Sequence, residues 1–402
     1  MADKSSALQD GIYLAPGPIP KAFRFVVFDV LPGTERAAAR EAIARVWEIL
    51  AGLRAGTVRD LEATRPDEQS VSIDGDTFDV LIGFGASFFD SKRGLTAADR
   101  PHQLTALGHP GSPFQSLGWA PGVAARSGEG DLCLQLIGRD EHAVDRAAVE
   151  VWKAIVDDAL PLVVRETFDG FARDDGRSWI GFHDGVSNIR QSQRRAAVES
   201  TGDPDWNRGG TYLAFLRCEV DLVAWRGISR DDQEILVGRD KLTGHALERV
   251  ESVDGKLVPR AFAVCPAVPG GPLEQSDVFH DPPETGDPLV EASHVHRANQ
   301  NRAEPTSSAA HRIFRQGYEY LEDVTADGPR LGLNFVSFQR DLEHLRQILT
   351  IPSWLGSVNF GGVPRGPNAT GPDPIHFIHL RAGGFYAIPP RAEPFPGAGL
   401  LG

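Results

Sequence analysis

The chain has 402 residues, 41% hydrophobic and 24% charged, the composition of a folded globular protein rather than a disordered one. Lys and Arg number 41 against 55 Asp and Glu, a formal charge of −14, which excludes a general nucleic-acid surface and any broad attraction to anionic membranes. The three cysteines, Cys133, Cys218 and Cys265, lie far apart with no C-x-x-C pair, so neither a disulfide framework nor a zinc–thiolate site fits, and a reducing, cytoplasmic setting is expected.

Residues 1–20 are turn-rich, with Pro16, Pro18 and Pro20, and read as an extended arm. No basic stretch followed by an apolar core opens the chain, and no apolar run reaches the roughly 18 residues of a membrane span, so neither a secretion signal nor a span is expected. Residues 23–30 (FRFVVFDV) are β-branched and aromatic and predict a strand. Residues 34–53 place Ile43, Val46, Ile49 and Leu53 at helical spacing. Strands follow at 78–84 and 131–137. A helix at 140–159 is expected to bury Val144, Val149, Val151, Ile155 and Val156, and a strand closes the set at 163–171. This β-α-β-β-α-β order is the ferredoxin-like pattern.

A second half repeats the order with longer insertions. Strands are expected at 211–220, 331–338 and 384–388, and helices from 221, from a Ser229 cap with Asp232, and at 341–349. The connecting zone at 172–209 and the Pro-, Gly- and Asp-rich stretch at 266–288 read as long loops, which in a compact protein are usually functional or disordered. The expected division is an arm at 1–20, ferredoxin-like domains at 21–175 and 176–392, and a flexible tail at 393–402.

Several common chemistries lack their signatures. Gly83-x-Gly85 follows a strand, but Phe88 breaks the dinucleotide fingerprint, and no Walker loop, H-E-x-x-H or G-x-S-x-G occurs. Three other runs carry chemistry. In Gly181-Phe182-His183-Asp184-Gly185, glycines let the backbone approach a flat ligand while Asp184 works as a proton shuttle; the alternative is a turn in which Asp184 bonds its own backbone. In Ser293-His294-Val295-His296-Arg297, a histidine offers an axial haem ligand. The pair could instead chelate zinc or iron if both side chains point one way, as on a strand, or be two surface residues. In Arg312-Ile313-Phe314-Arg315-Gln316-Gly317-Tyr318, a permanently charged arginine can stabilise a leaving hydroxide, or be an ordinary surface cation.

Taken together, these runs resemble the dye-decolourising peroxidases. The family's G-x-x-D-G motif is matched by Gly181, Asp184 and Gly185, its proximal-histidine stretch by residues 294–301, and its R-x-x-R-x-G-Y motif by Arg312, Arg315, Gly317 and Tyr318. Gly83-Phe84-Gly85 with Phe89-Asp90, Gly209-Gly210-Thr211-Tyr212 with Arg217, Trp225, Gly238-Arg239, Gly332-Leu333-Asn334-Phe335 and Phe338-Gln339 add to the likeness, which runs from about residue 22 to 390. His296, Gln300 and Asn301 depart from the family's Arg, Pro and Arg, and Arg297 and Arg302 stand beside them.

The resemblance implies an α+β, DyP-type fold of two ferredoxin-like halves, a barrel-like arrangement of the dimeric α+β kind. It implies haem b ligated by His294, with His296 the alternative, and contacts from Gly185, Arg297, Phe335 and Phe338. Phe335 and Phe338 sit on opposite faces of a strand, so only one can face the haem. Asp184 would move a proton within hydrogen peroxide and Arg315 would stabilise the leaving hydroxide, with an organic reductant such as a dye or phenol supplying electrons. Trp206, Trp225, Tyr212, Tyr318, Tyr320 and Trp354 are candidate electron relays. The family often self-associates, which leaves room for a homo-oligomer. Rival readings are a protein that strips iron from haem, a non-haem metal protein using His294 and His296, and a ferredoxin-like binding module without haem.

Overall fold

Strand β1 (Ala22–Val30) holds the first half together. It pairs antiparallel with β3 (Leu132–Gly138) on one edge and β4 (Leu162–Phe171) on the other, and β2 (Phe78–Gly85) adds beyond β3. Its sequence is apolar on both faces because both are covered. Phe23, Phe25 and Val27 pack in one cluster, and Ala22, Val26 and Phe28 pack in another with buried residues of α1 (Arg36–Arg54) and α2 (Glu141–Asp157). The computed structural model describes every residue except 1–6, 13–18, 76, 90–94, 97, 102–103, 106–127, 190, 203, 264–281, 299–311, 350–367, 369–376 and 393.

The second half contains α3 (Gln191–Val198), β5 (Thr211–Val220), α4 (Leu222–Arg226), α5 (Arg230–Val237), a hairpin of β6 (Leu247–Val253) and β7 (Lys256–Ala261), α6 (Pro288–Glu291) and α7 (His294–Ala298). It continues with β8 (Phe314–Arg315), β9 (Tyr318–Thr325), β10 (Gly328–Gln339), α8 (Leu342–Leu349), β11 (Ile378–Ile388) and α9 (Ala398–Leu401). As expected, Ser229 caps α5, accepting from the Asp232 N–H at 3.1 Å. The stretch read as a loop at 172–209 contains α3, and the hairpin and β9 were not anticipated as separate elements.

Each half keeps a ferredoxin-like strand order, β4-β1-β3-β2 and β9-β10-β5-β11. The two sheets join where β2 meets β11 (Tyr386 opposite Gly85) and where β4 meets β9 (Phe171 opposite Glu319), closing eight strands into a barrel, with β8 in line with β9 along the edge of β10 opposite β5. Closure leaves an interior filled from both halves: Phe25 stacks on Phe215 and Phe23 on Tyr318, each at 4.5 Å. Offset stacking of this kind adds about 0.5–1.5 kcal/mol beyond area burial.

One reading of α2 is corrected. Val144, Val151 and Ile155 are buried, but Val149 and Val156 are 54% and 55% exposed, together with Trp152. Positions 149, 152 and 156 share a helical stripe opposite the one that packs on the sheet. Among the described residues, no helix is long and apolar enough to cross a membrane.

Candidate active site

The turn that carries Asp184 is built before any ligand is considered. Gly181 and Gly185 take φ of +90° and +75°, a conformation that costs a side-chain-bearing residue energy. Arg177 braces the turn: its guanidinium donates to the carbonyls of Gly181 (2.8 Å), Lys241 (2.6 Å) and Leu242 (3.0 Å) and meets His183 Nε2 at 2.8 Å. Phe182 is buried against Trp225, whose indole N–H donates to the Ile180 carbonyl at 3.2 Å. Asp184 is exposed, and its Oδ1 accepts the Gly185 N–H at 2.7 Å, so the turn reading of this residue is correct as far as it goes. Its other oxygen, Oδ2, lies 3.7 Å from where a Cβ at Gly317 would stand.

Asn188 ties this turn to the strand of Arg315. Its Nδ2 donates to the Arg315 carbonyl (2.7 Å), and its Oδ1 accepts the Arg315 backbone N–H (3.0 Å). The Arg315 side chain returns the link, Nη2 donating to the Val186 carbonyl at 2.8 Å. Arg315 is deeply enclosed and its proton affinity is lowered by that burial, an effect Asp184 opposes.

The histidines stand on α7, not on a strand. Two residues apart on a helix is about 200° around the axis, so His294 and His296 point to different faces and do not converge on one ion. His296 is fully buried, with Nδ1 3.4 Å from Glu291 Oε2. His294 is held neutral: burial first, then the charges of Arg315 and Arg239, push its pKa down to about 3. A neutral imidazole is the form that ligates a metal. His294 and Arg315 are both half-buried. Arg239 is buried, donating to Ser187 Oγ (2.6 Å) and the Gly244 carbonyl (2.9 Å), so the segment just after α5 also grips the Asp184 turn.

The register of β10 decides between the two phenylalanines. Ser337 lies opposite Arg315 and Leu333 opposite Glu319, so residues 333, 335 and 337 share a face with 315, 317 and 319. Phe335 is on that face and half-buried. Phe338 has no accessible surface and packs on Phe314 inside the barrel, so it does not line the site. Arg297 is half-buried on α7. Of the candidate relays, Tyr212, Trp225, Tyr318 and Tyr320 are buried, Trp206 is half-buried, and Trp354 lies outside the described residues, as does Arg302.

Sequence reasoning missed Asn188, the seat at Gly317, and Glu319. The alternation Arg315-x-Gly317-x-Glu319 was the available signal.

The amino-acid sequence matches the model of the Dyp-type peroxidase N-terminal region over residues 9–172 and that of the Dyp-type peroxidase C-terminal region over residues 175–393. The chain belongs to the Dyp-type peroxidase family. Among curated relatives of this Dyp-type chain, a deferrochelatase from Escherichia coli O157:H7 is 30% identical over 281 residues, covering 67% of the chain and 58% of the relative. One from Shigella flexneri is 29% identical over 281 residues, covering 67% and 59%. The chain thus spans less than two thirds of the length of these relatives. Among solved structures, DtpA from Streptomyces lividans superposes with a TM-score of 0.66 at 24% identity, covering 96% of this chain and 95% of DtpA. A variant of DypB from Rhodococcus jostii, solved in complex with heme, gives a TM-score of 0.58 at 19% identity, covering 94% and 96%.

Proposed function

We propose that the chain is a haem-dependent peroxidase that reduces hydrogen peroxide and oxidises dyes, phenols or other organic reductants, and that His294 would hold the haem iron. The observation that carries this reading is the coupling at Arg315, whose charge disfavours protonation of His294 and is itself favoured by Asp184. A ligand-competent imidazole, an enclosed cation and an exposed carboxylate are thus coupled through Arg315, a donor set that fits haem and peroxide. The heme complex of the Rhodococcus relative supports the same cofactor.

Haem b, when bound, supplies the iron redox chemistry that cleaves the O–O bond. Asp184 takes a proton from one peroxide oxygen and returns it to the other, work that contributes about 10²–10⁴-fold in comparable enzymes. Asp184 Oδ2 is the oxygen left for this, since Oδ1 holds the turn. Arg315 opposes the negative charge on the departing oxygen, a role worth roughly 2.7–4 kcal/mol for a preorganised donor. Gly185 and Phe335 would contact the haem, and Arg297 would pair with its propionates.

Absorption spectra of wild type, His294→Ala and His296→Ala with added haemin test the ligand. Loss of the haem Soret band in His294→Ala alone is expected; loss in His296→Ala alone reverses the assignment. Asp184→Asn should lose most peroxide turnover, and full turnover removes Asp184 from the mechanism. Iron release from haem is a second reading, supported by the deferrochelatase relatives. Free iron appearing without peroxide consumption favours it.

A further inference from the structure

Glu319 is a buried carboxyl beside the site that the mechanism above does not use. Only 5% of its surface is accessible. Arg315, Gly317 and Glu319 occupy alternate positions along one extended run, so their side-chain positions lie on one face. Asp184 Oδ2 sits over the middle of the three, in the space the glycine leaves open. The carboxylate therefore has a guanidinium two residues before its seat and a second carboxyl two residues after it.

The polar accounting around Glu319 is incomplete without Asp184. Its carboxyl accepts the Trp179 backbone N–H, but Oε1 is buried and makes no hydrogen bond among the described residues. Such an oxygen is costly unless paired. A protonated carboxyl carries one O–H donor and needs an acceptor, and the accessible carboxylate on that face is Asp184. The charged groups acting on Glu319 agree: burial, then Asp184, push its pKa up to about 9, Asp175 adds, and Arg173 and the Trp179 N–H work against them.

The location suits proton supply. Glu319 lies at the seam of the two halves, opposite Phe171 of β4. Phe171, Arg173 and Asp175 line a surface groove of about 630 Å³ beside that strand, open to solvent. Reducing hydrogen peroxide to two waters takes up two protons and two electrons. The electrons come from the reductant, and the protons must enter the site.

We propose that Glu319 is the proton partner of Asp184, holding a proton on its carboxyl, passing it to Asp184 Oδ2, and recovering one from water in the groove along β4. No bond other than O–H breaks or forms in this transfer, and no electron moves. Glu319 is thus a positioning and supply residue that acts through Asp184, and the inference rests on the reading of Asp184 as the acid–base group.

The test combines carboxyl-region infrared spectra with peroxide turnover, on the haem-loaded wild type, Glu319→Gln, Glu319→Asp and Asp184→Asn from acid to alkaline pH. Wild type should show a protonated-carboxyl band that persists above neutrality, disappears in Glu319→Gln, and titrates at lower pH in Asp184→Asn. Turnover should fall about tenfold or more in Glu319→Gln, recover in part in Glu319→Asp, and lose the alkaline limb of its pH profile. An infrared band unchanged in Glu319→Gln, or wild-type turnover in that variant at every pH, overturns the proposal. If Asp184→Asn is inactive while Glu319→Gln is unimpaired, only the supply role falls; if Asp184→Asn is fully active, the acid–base reading falls with it.

Discussion

Asn188 and Arg315 are joined by two hydrogen bonds, the asparagine amide donating to the Arg315 carbonyl at 2.7 Å and accepting its backbone N–H at 3.0 Å. The side chain behaves as a short piece of β-ladder. It fixes the turn of Asp184 against the strand of Arg315 across 127 residues of sequence. Asn188→Ala should therefore cost about 1–3 kcal/mol in stability, the usual range when buried backbone groups lose their partners. It should also lower peroxide turnover about tenfold, because Arg315 loses its placement. Denaturant unfolding and initial rates on the same preparation check both, and an unchanged rate would show that the Val186 contact of Arg315 suffices.

Gly238 sets how close α7 approaches. It has φ of +90°, and a Cβ there would stand 2.2 Å from Ser293 Oγ, the residue before His294. Gly238→Ala combines backbone strain with a clash, costing on the order of 1–3 kcal/mol. Haemin titration followed by absorbance should show weaker binding in this variant, while Gly255→Ala, whose Cβ meets nothing within 4 Å, should bind haemin normally.

Arg217 is a buried cation with several partners. It donates to Glu322 Oε1 (2.6 and 3.2 Å) and Asn334 Oδ1 (2.8 Å), and its guanidinium lies 3.5 Å from the Tyr320 ring centroid. Burial alone would raise the Glu322 pKa, but the bonds and charge of Arg217, with Arg330, bring it below the ordinary value. A carboxylate with a depressed folded pKa stabilises the protein above its unfolded value and loses that contribution as pH falls through the folded one. Arg217→Met should destabilise by on the order of 3 kcal/mol at neutral pH, less for the exposed part of Glu322. The deficit should shrink below about pH 4, which thermal unfolding across acid pH would measure.

Glu319 has the opposite sign. The folded chain keeps its proton up to about 9, whereas the unfolded chain releases it near the ordinary 4.5. The fold thus binds a proton that the unfolded state does not, and stability declines as pH rises through that window. Glu319→Gln should remove the decline and be more stable than wild type by on the order of 3 kcal/mol at neutral pH. Equal pH slopes for the two proteins would mean that Glu319 is ionised in the fold.

Much of this molecule was legible from local pattern. The run from 23 to 30, the helix at 140–159 and the Ser229 cap each follow from propensity, periodicity and capping within a dozen residues. The order of Asp184, His294 and Arg315 along the chain marked the family without coordinates. Local pattern did less well where a rule of one element was applied outside its surroundings, as when Val149 and Val156 were expected inside α2.

What the sequence by itself determined, then, is the kind and order of the elements and the residue types that carry the chemistry. Only the tertiary structure decided which of them meet. Phe335 shares a face with Arg315 and Phe338 points into the barrel because β10 is held in one register between β5 and the run of β8 and β9. His294 and His296 diverge because their segment is helical. For Asp184, one carboxylate oxygen holds the turn and the other stands over Gly317, a residue of a distant strand segment. The physical reason is range: propensity and capping act over a few residues, whereas closure of the barrel pairs strands far apart in the chain and shifts every side chain by a face if the register slips by one.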